Sequence, residues 1–413
     1  MRQAQPSHPG RQVPGHGSAC GELLARSWPA MGRARAGGDS APILGSIGKG
    51  ASASLAGGDE LERLMTVTED FTSLTSRFRG ELLAHCYRML GSVDEAEDAV
   101  QETFLRAWRS YEGFEGRSSV RTWLYRIATN VCLTAIERRG RRPLPSGLGG
   151  PADDPEIPLE AASEVPWLQP LPDALVTADR EDPAAVTASR AGVRLAFVAA
   201  LQYLSARQRA MLILRDVLEW SAADVAELLG TTTTAVNSGL RRARTQLARA
   251  MPAEDELAEP DDAVQRAVLE RFAAAIEDAD AGAMAELLRA DAVLEMPPFL
   301  TWFAGRDAVA GFIGSQLLTA PGDLRPVPVT ANGQAAFAVY RRDERGVYQA
   351  HALEVLTLTA TGIARIVAFA DPGRFTSFGL PPEYPACPVT NSSPSSAAGR
   401  SAAIRRGPPG LHE

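Results

Sequence analysis

The stretch WSAADVAELLGTTTTAVNSGLRRARTQLARA, residues 220–250, restricts the fold more than any other part of the chain. Ser221 followed three residues on by Asp224 is a capping-box pattern that starts a helix over Ala222 to Leu229. Gly230 suits the left-handed position that ends it. Thr232 can cap a second helix, in which Val236, Leu240, Ala243 and Leu247 recur on one inward face. At about 100° per residue the opposite face holds Thr234, Ser238, Arg241 and Thr245, with Asn237 and Arg242 on its shoulders. Two short helices across a tight turn, the second bearing hydroxyls, an amide and guanidinium groups, form a helix-turn-helix suited to phosphates and base edges. A solvated amphipathic hairpin has the same pattern, so the decision rests on the rest of the chain. Gly239 stands against both readings, because a mid-helix glycine costs about 1 kcal/mol relative to alanine.

The chain is 413 residues long, enough at roughly 100–200 residues per domain for two or three domains. No apolar run approaches the roughly 18 residues of a membrane span, so no membrane partner is expected. A net charge of −8 argues against a polyanionic partner until the distribution is considered. Arginines gather at Arg138, Arg139, Arg141 and Arg142 and again at Arg241, Arg242, Arg244 and Arg249, while acids crowd 153–183 and 254–262. Cys20, Cys86, Cys132 and Cys387 contain no C-x-x-C pair, and the middle two fall in apolar helical patterns; a reducing cytoplasm fits.

Residues 1–64 lack a compact apolar segment with a cleavage site and read as a disordered extension, with Met31 and Met65 as alternative starts. Residues 65–142 are helical, with Leu82, Leu83, Cys86, Tyr87 and Leu90 on one stripe and Ala96, Val100, Phe104, Leu105 and Trp108 on another. An acidic, proline-rich linker over 143–185 shows little periodicity, and helical spacing resumes over 186–251. After an acidic connector at 252–262, residues 263–296 read as helical. Short alternating runs then follow, divided by Asn-Gly, Arg-Gly and Thr-Gly turns. Residues 262–382 are therefore an α+β unit, and 383–413 a disordered tail.

The string GSVDEAEDAVQETFLRAWRSYEGFEGRSSVRTWLYRIATNVCLTAIERRGRR resembles region 2 of bacterial extracytoplasmic-function sigma factors, and LSARQRAMLILRDVLEWSAADVAELLGTTTTAVNSGLRRARTQL resembles their region 4. The resemblance implies a multidomain chain: two all-α sigma domains, a region 2 helical bundle and a region 4 helix-turn-helix, ahead of the α+β unit. It implies two partners, core RNA polymerase and promoter DNA. Asp98, Gln101 and Glu102 match the helix that docks on the polymerase clamp. Arg126, Asn130, Arg138 and Arg139 match the section that opens and reads the −10 element, preceded by a loop around Phe114. Trp123, beside them, reads more readily as packing than as a base-stacking ring. Thr234, Asn237, Ser238, Arg241 and Arg242 fall to the −35 element. In the family the linker threads the polymerase toward the RNA exit path. WLQPLPDAL at 167–175 is similar to a tryptophan-proline motif of sigma factors with a C-terminal extension, which usually carry tyrosine where this chain has Leu171.

Residues 262–382, ending IVAFADPGRFTSFGLPPE, resemble the SnoaL-like cone of polyketide cyclases and ketosteroid isomerases. His351, Asp291, Glu295 and Tyr340 are its acid/base candidates, but no spacing brings two of them within hydrogen-bond reach. The expectation is an initiation factor without catalytic residues, cofactor or metal. A small ligand or an intramolecular contact is left open for the cone. The rival reading is a metabolite-sensing helix-turn-helix regulator that never docks on polymerase; a cyclase with DNA-binding appendages is a third.

Overall fold

The computed structural model describes residues 71–177 apart from 72, 74 and 117, then 192–250 and 262–384. Of the segments expected to be disordered, 1–64 and all of 383–413 but its first two residues lie outside these residues, as do Cys20, Cys387, residues 178–191 and nearly all of the acidic connector.

The first helical block is a bundle of α1 (Arg79–Leu90), α2 (Val93–Ser110) and α3 (Val120–Arg139). Gly91 ends α1 in the left-handed conformation, φ 70°, its N–H on the Tyr87 carbonyl, and Ser92 at once caps α2 by accepting from the Glu95 N–H. The reversal is therefore tight, as a glycine next to a serine permits. Leu82, Leu83, Cys86 and Tyr87 of α1 pack on Ala96 and Val100 of α2 and on Leu124 and Ala128 of α3. Leu105 breaks the expected stripe: it is 51% exposed, on the outer side of α2.

His85 is fully buried, one ring nitrogen 3.0 Å from the Thr129 hydroxyl. Burial, aided by the Arg88 charge, holds its pKa down at about 3. The unfolded chain therefore binds a proton near pH 6.5 that the folded chain refuses until about pH 3. The stability this contributes is complete above pH 6.5 and falls by up to about 1.4 kcal/mol per pH unit below it. His85→Leu is expected to flatten the acid side of a melting-temperature profile; an unchanged slope between pH 6 and 4 would contradict this.

The second helical block comprises α4 (Leu195–Leu201), α5 (Ala206–Leu212), α6 (Ala222–Leu228) and α7 (Thr233–Ala250). Ser205 and Gln208 make a complete capping box for α5. At α6 the Ser221 oxygen accepts from the Asp224 N–H, but the Asp224 carboxylate takes the Ser221 hydroxyl rather than its backbone. Gly230 has φ 57°, and Ala235 N donates to the Thr232 hydroxyl, as the sequence leads one to expect. Gly239 does not soften α7. A Cβ there would lie 2.5 Å from the Met211 sulfur, so the glycine lets α7 close on α5.

The linker departs from expectation. Over 143–177 it has little regular structure yet is packed: Leu144, Leu168, Leu171 and Val176 are buried in the same core as α1 and α4. Two isolated bridges, Ala161 to Phe299 and Pro172 to Ala331, tie it to the C-terminal unit. Its prolines leave few unpaired N–H groups and its leucines supply the apolar contact.

That unit opens with α8 (Asp262–Glu277) and α9 (Ala281–Leu287), then β1 (Leu288–Glu295), β2 (Trp302–Ala304), α10 (Arg306–Phe312) and the strands β3 (Leu324–Ala331), β4 (Gln334–Arg342), β5 (Tyr348–Thr359), β6 (Gly362–Phe369) and β7 (Glu383–Tyr384). The order is β2-β1-β6-β5-β4-β3, with β7 on β5. The Asn332-Gly333, Arg345-Gly346 and Thr361-Gly362 turns fall between the strands as expected. The helical expectation for residues 288–295 was wrong, because they pair parallel with β6, a distant contact that overrides local spacing. The tail boundary also moves: Glu383 and Tyr384 form β7, with the Tyr384 ring centroid 5.2 Å from that of Tyr340 and 4.5 Å from the Arg325 guanidinium.

The sheet is covered on both faces. One side packs Phe337, Val339, Leu356 and Ile366 against Phe272 of α8 and Phe312 of α10. The other side, with Ala336, Ala338, Leu353, Val355 and Val367, belongs to the core that contains the two helical blocks and the linker.

Candidate polymerase and promoter interface

On α2, Asp98 and Gln101 are exposed and Glu102 is half-buried and paired with Arg106 at 2.6 Å. Leu105, one turn on, extends that face with an apolar side chain. The sequence pattern hid it, because position 105 lies at the border of the buried stripe.

On α3, Asn130 and Arg138 are exposed. Arg139 and Arg142 both pair with Glu95 of α2, which partly neutralises the first arginine cluster. Arg126 is engaged: its Nη1 lies 2.7 Å from the Glu227 carboxylate of α6, and its Nε is buried without a partner. Trp123 is half-buried and its ring lies tilted against Phe114, centroids 4.7 Å apart, consistent with packing.

On α7, Val236, Leu240 and Ala243 are buried and Leu247 half-buried, so the expected outer face is outermost. Thr234, Asn237, Arg241 and Arg242 are exposed and Ser238 is half-buried. Among the described residues no side-chain partner holds Arg241 or Arg242, whereas Arg244 is held at 2.6 and 2.9 Å by Asp216 and braces the helix. Those positions turn guanidinium and amide groups out to solvent, the donor types that bond phosphates and base edges.

The four acid/base candidates of the cone do not converge. Asp291 is exposed and forked with Arg289, at 2.8 and 2.9 Å. Glu295 is fully buried, ion-paired with Arg365 and accepting from Ser146 N at 2.9 Å, which pins the linker. Tyr340 faces the helical blocks and donates to the Pro381 carbonyl. His351 sits in the bulge of β5 with its pKa held at about 3 by burial and the Arg341 charge. Glu354, on the other face, has a carboxyl pushed up to about 7 by burial.

Two family models match the chain: Sigma-70 region 2 over residues 74–142 and Sigma-70, region 4 over residues 194–247. The ECF RNA polymerase sigma factor SigG of Mycobacterium tuberculosis (strain ATCC 25618 / H37Rv) is 52% identical over 314 residues, 76% of this chain and 84% of that protein. The chain belongs to the ECF RNA polymerase sigma factors. The ECF sigma factor SigE of Mycolicibacterium smegmatis is 33% identical over 165 residues, 39% of this chain and 53% of that one. The crystal structure of the Mycobacterium tuberculosis extracytoplasmic function sigma factor SigJ aligns with a TM-score of 0.50 at 23% identity, over 76% of this chain and 99% of that one, which shows a common fold. This sigma factor therefore binds core RNA polymerase and directs promoter-specific initiation, and its C-terminal unit is an α+β domain. No helix among its described residues is long and apolar enough to cross a membrane.

Proposed function

We propose that the sigma factor's C-terminal domain acts in cis on the sigma regions and performs no catalysis. The observation that supports this is the shared core: Ala336, Ala338, Leu353 and Val367 of the sheet pack in one cluster with Leu168 and Leu171 of the linker and Leu195 and Val198 of region 4. A second contact reaches α2 itself, where Arg374 lies 2.8 Å from Asp94 at the start of the polymerase-docking helix. Asp98, Gln101 and Glu102 dock on polymerase in this reading, with Leu105 adding apolar contact. Arg126, Asn130, Arg138 and Arg139 engage the −10 element, and Thr234, Asn237, Ser238, Arg241 and Arg242 the −35 element. The place of action is the cytoplasm, where polymerase and promoter meet. Cis control is tested by transcription with core polymerase using a chain ending at residue 261. Activity is expected to change by several-fold, and output equal to that of the full chain would remove the role.

A further inference from the structure

The face of α4 that meets β5 and β6 carries alanine at three positions, Ala196, Ala199 and Ala200, which share one side of the helix at i, i+3 and i+4. Side chains that short do not reach the sheet, and a cavity of about 70 Å³ is left between them, the linker at Leu144 and Ser146, and the strands at Thr357, Arg365 and Val367. One water needs roughly 10–15 Å³ measured this way, so the space holds about five waters or a ligand of similar bulk.

Its walls divide by chemistry. Leu144, Ala196, Ala199 and Val367 make an apolar side. The polar side is made of donors. Thr357 and Arg365 are directly opposite each other on β5 and β6, so their side chains stand together on one face. Arg365 gives Nη1 to the fully buried Glu295 and makes no other hydrogen bond among the described residues, which leaves the second edge of its fork open. Glu295 is itself used up, because its other oxygen accepts from Ser146 N at 2.9 Å. It therefore fixes the guanidinium without offering an acceptor to the cavity. Thr357 Oγ1 already accepts from Gln334 Nε2 at 3.2 Å, so its O–H is the part left to give. At the rim the Tyr203 hydroxyl adds a further donor, and the Arg141 guanidinium lies 5.4 Å from that ring, a second positive charge that offsets Glu295.

Donors around an open guanidinium edge call for an anionic acceptor, and a planar carboxylate matches that edge. The apolar side calls for a hydrocarbon part; a phosphate would have to give up its water against leucine, alanine and valine with nothing in return. We propose that the cleft between α4, the linker and the β5–β6 face is a binding site for a small aliphatic carboxylate, its carboxylate on Arg365 and Thr357 and its chain against Ala196 and Ala199.

The test uses the full chain with butyrate as the probe and butyramide, butylamine and inorganic phosphate as comparisons, at matched ionic strength. Ligand-observed saturation-transfer NMR is expected to show butyrate binding on the order of millimolar, as suits so few atoms. The melting temperature is expected to rise by about 2 °C at ten times the dissociation constant. Butyramide is expected to bind roughly tenfold more weakly and butylamine not at all. Ala196→Leu, which fills the cavity and touches no hydrogen bond, is expected to abolish the signal; Ala199→Leu repeats the test should that variant fail to fold. Arg365→Lys keeps the charge beside Glu295 but loses the fork, and is expected to weaken butyrate roughly tenfold. No saturation transfer at tens of millimolar butyrate, or transfer unchanged in the folded leucine variants, overturns the site. Phosphate or butyramide binding as well as butyrate overturns the carboxylate class. None of these results bears on the cis role, which is read by transcription.

Discussion

Replacing Arg209 with alanine is expected to lower the stability of the folded chain by about 3–5 kcal/mol, the largest loss from any single side chain considered. Arg209 lies on α5 and is 1% exposed. Its guanidinium donates to the Met89 carbonyl at the end of α1, to Gln202 Oε1 at 3.0 Å, and to the Gln202 and Leu204 carbonyls at 3.3 and 3.4 Å. Burial pulls its pKa down to about 10, still far above neutrality, so the charge remains and these acceptors meet it. Alanine would leave the Met89 and Gln202 oxygens unpaired and open a cavity where region 2 meets region 4. Because one bond crosses that border, thermal unfolding followed by circular dichroism is expected to fall in temperature and to broaden. A shift worth less than about 1 kcal/mol would show that water satisfies those carbonyls.

Arg241→Ala is expected to weaken promoter binding by the holoenzyme by about 1–3 kcal/mol, roughly 5- to 150-fold, without affecting folding. The side chain is exposed and makes no hydrogen bond or ion pair within the described residues; only its backbone carbonyl is used, by the Thr245 hydroxyl. If the guanidinium reads a base edge, the loss concentrates on one position of the −35 element when a set of variant promoters is titrated. A loss that is uniform across the set, with a shallower salt dependence, assigns it to phosphate instead. No loss at all removes Arg241 from the reading face.

The elements of the helix-turn-helix were legible because each is governed by local chemistry. Ser221, Gly230 and Thr232 mark the helix ends by capping, and the spacing of Val236, Leu240 and Ala243 fixes which side of α7 faces out. The three glycine turns of the sheet were legible for the same reason. What the chain did not disclose depends on distant partners. Residues 288–295 keep a helical spacing but pair with β6 across some 70 residues. Gly239 reads as a weakness until Met211 is seen against it. Leu171, in place of a tyrosine, is buried with its backbone paired to Asn332 in both directions. Asn332 itself reads as an ordinary hairpin asparagine, because no property of one segment reveals that its amide bonds to Leu171, Tyr87 and Val193. Arg126 carries the same lesson: its residue type suits DNA, and only the fold places Glu227 on it.

The most direct measurement is run-off transcription by core RNA polymerase, freed of other sigma subunits, on a genomic promoter library with and without the purified chain. Transcripts that begin at defined positions, preceded by a common pair of upstream sequence elements and absent without the chain, are the predicted result. Random initiation that the chain leaves unchanged would contradict the assignment of both helical regions at once.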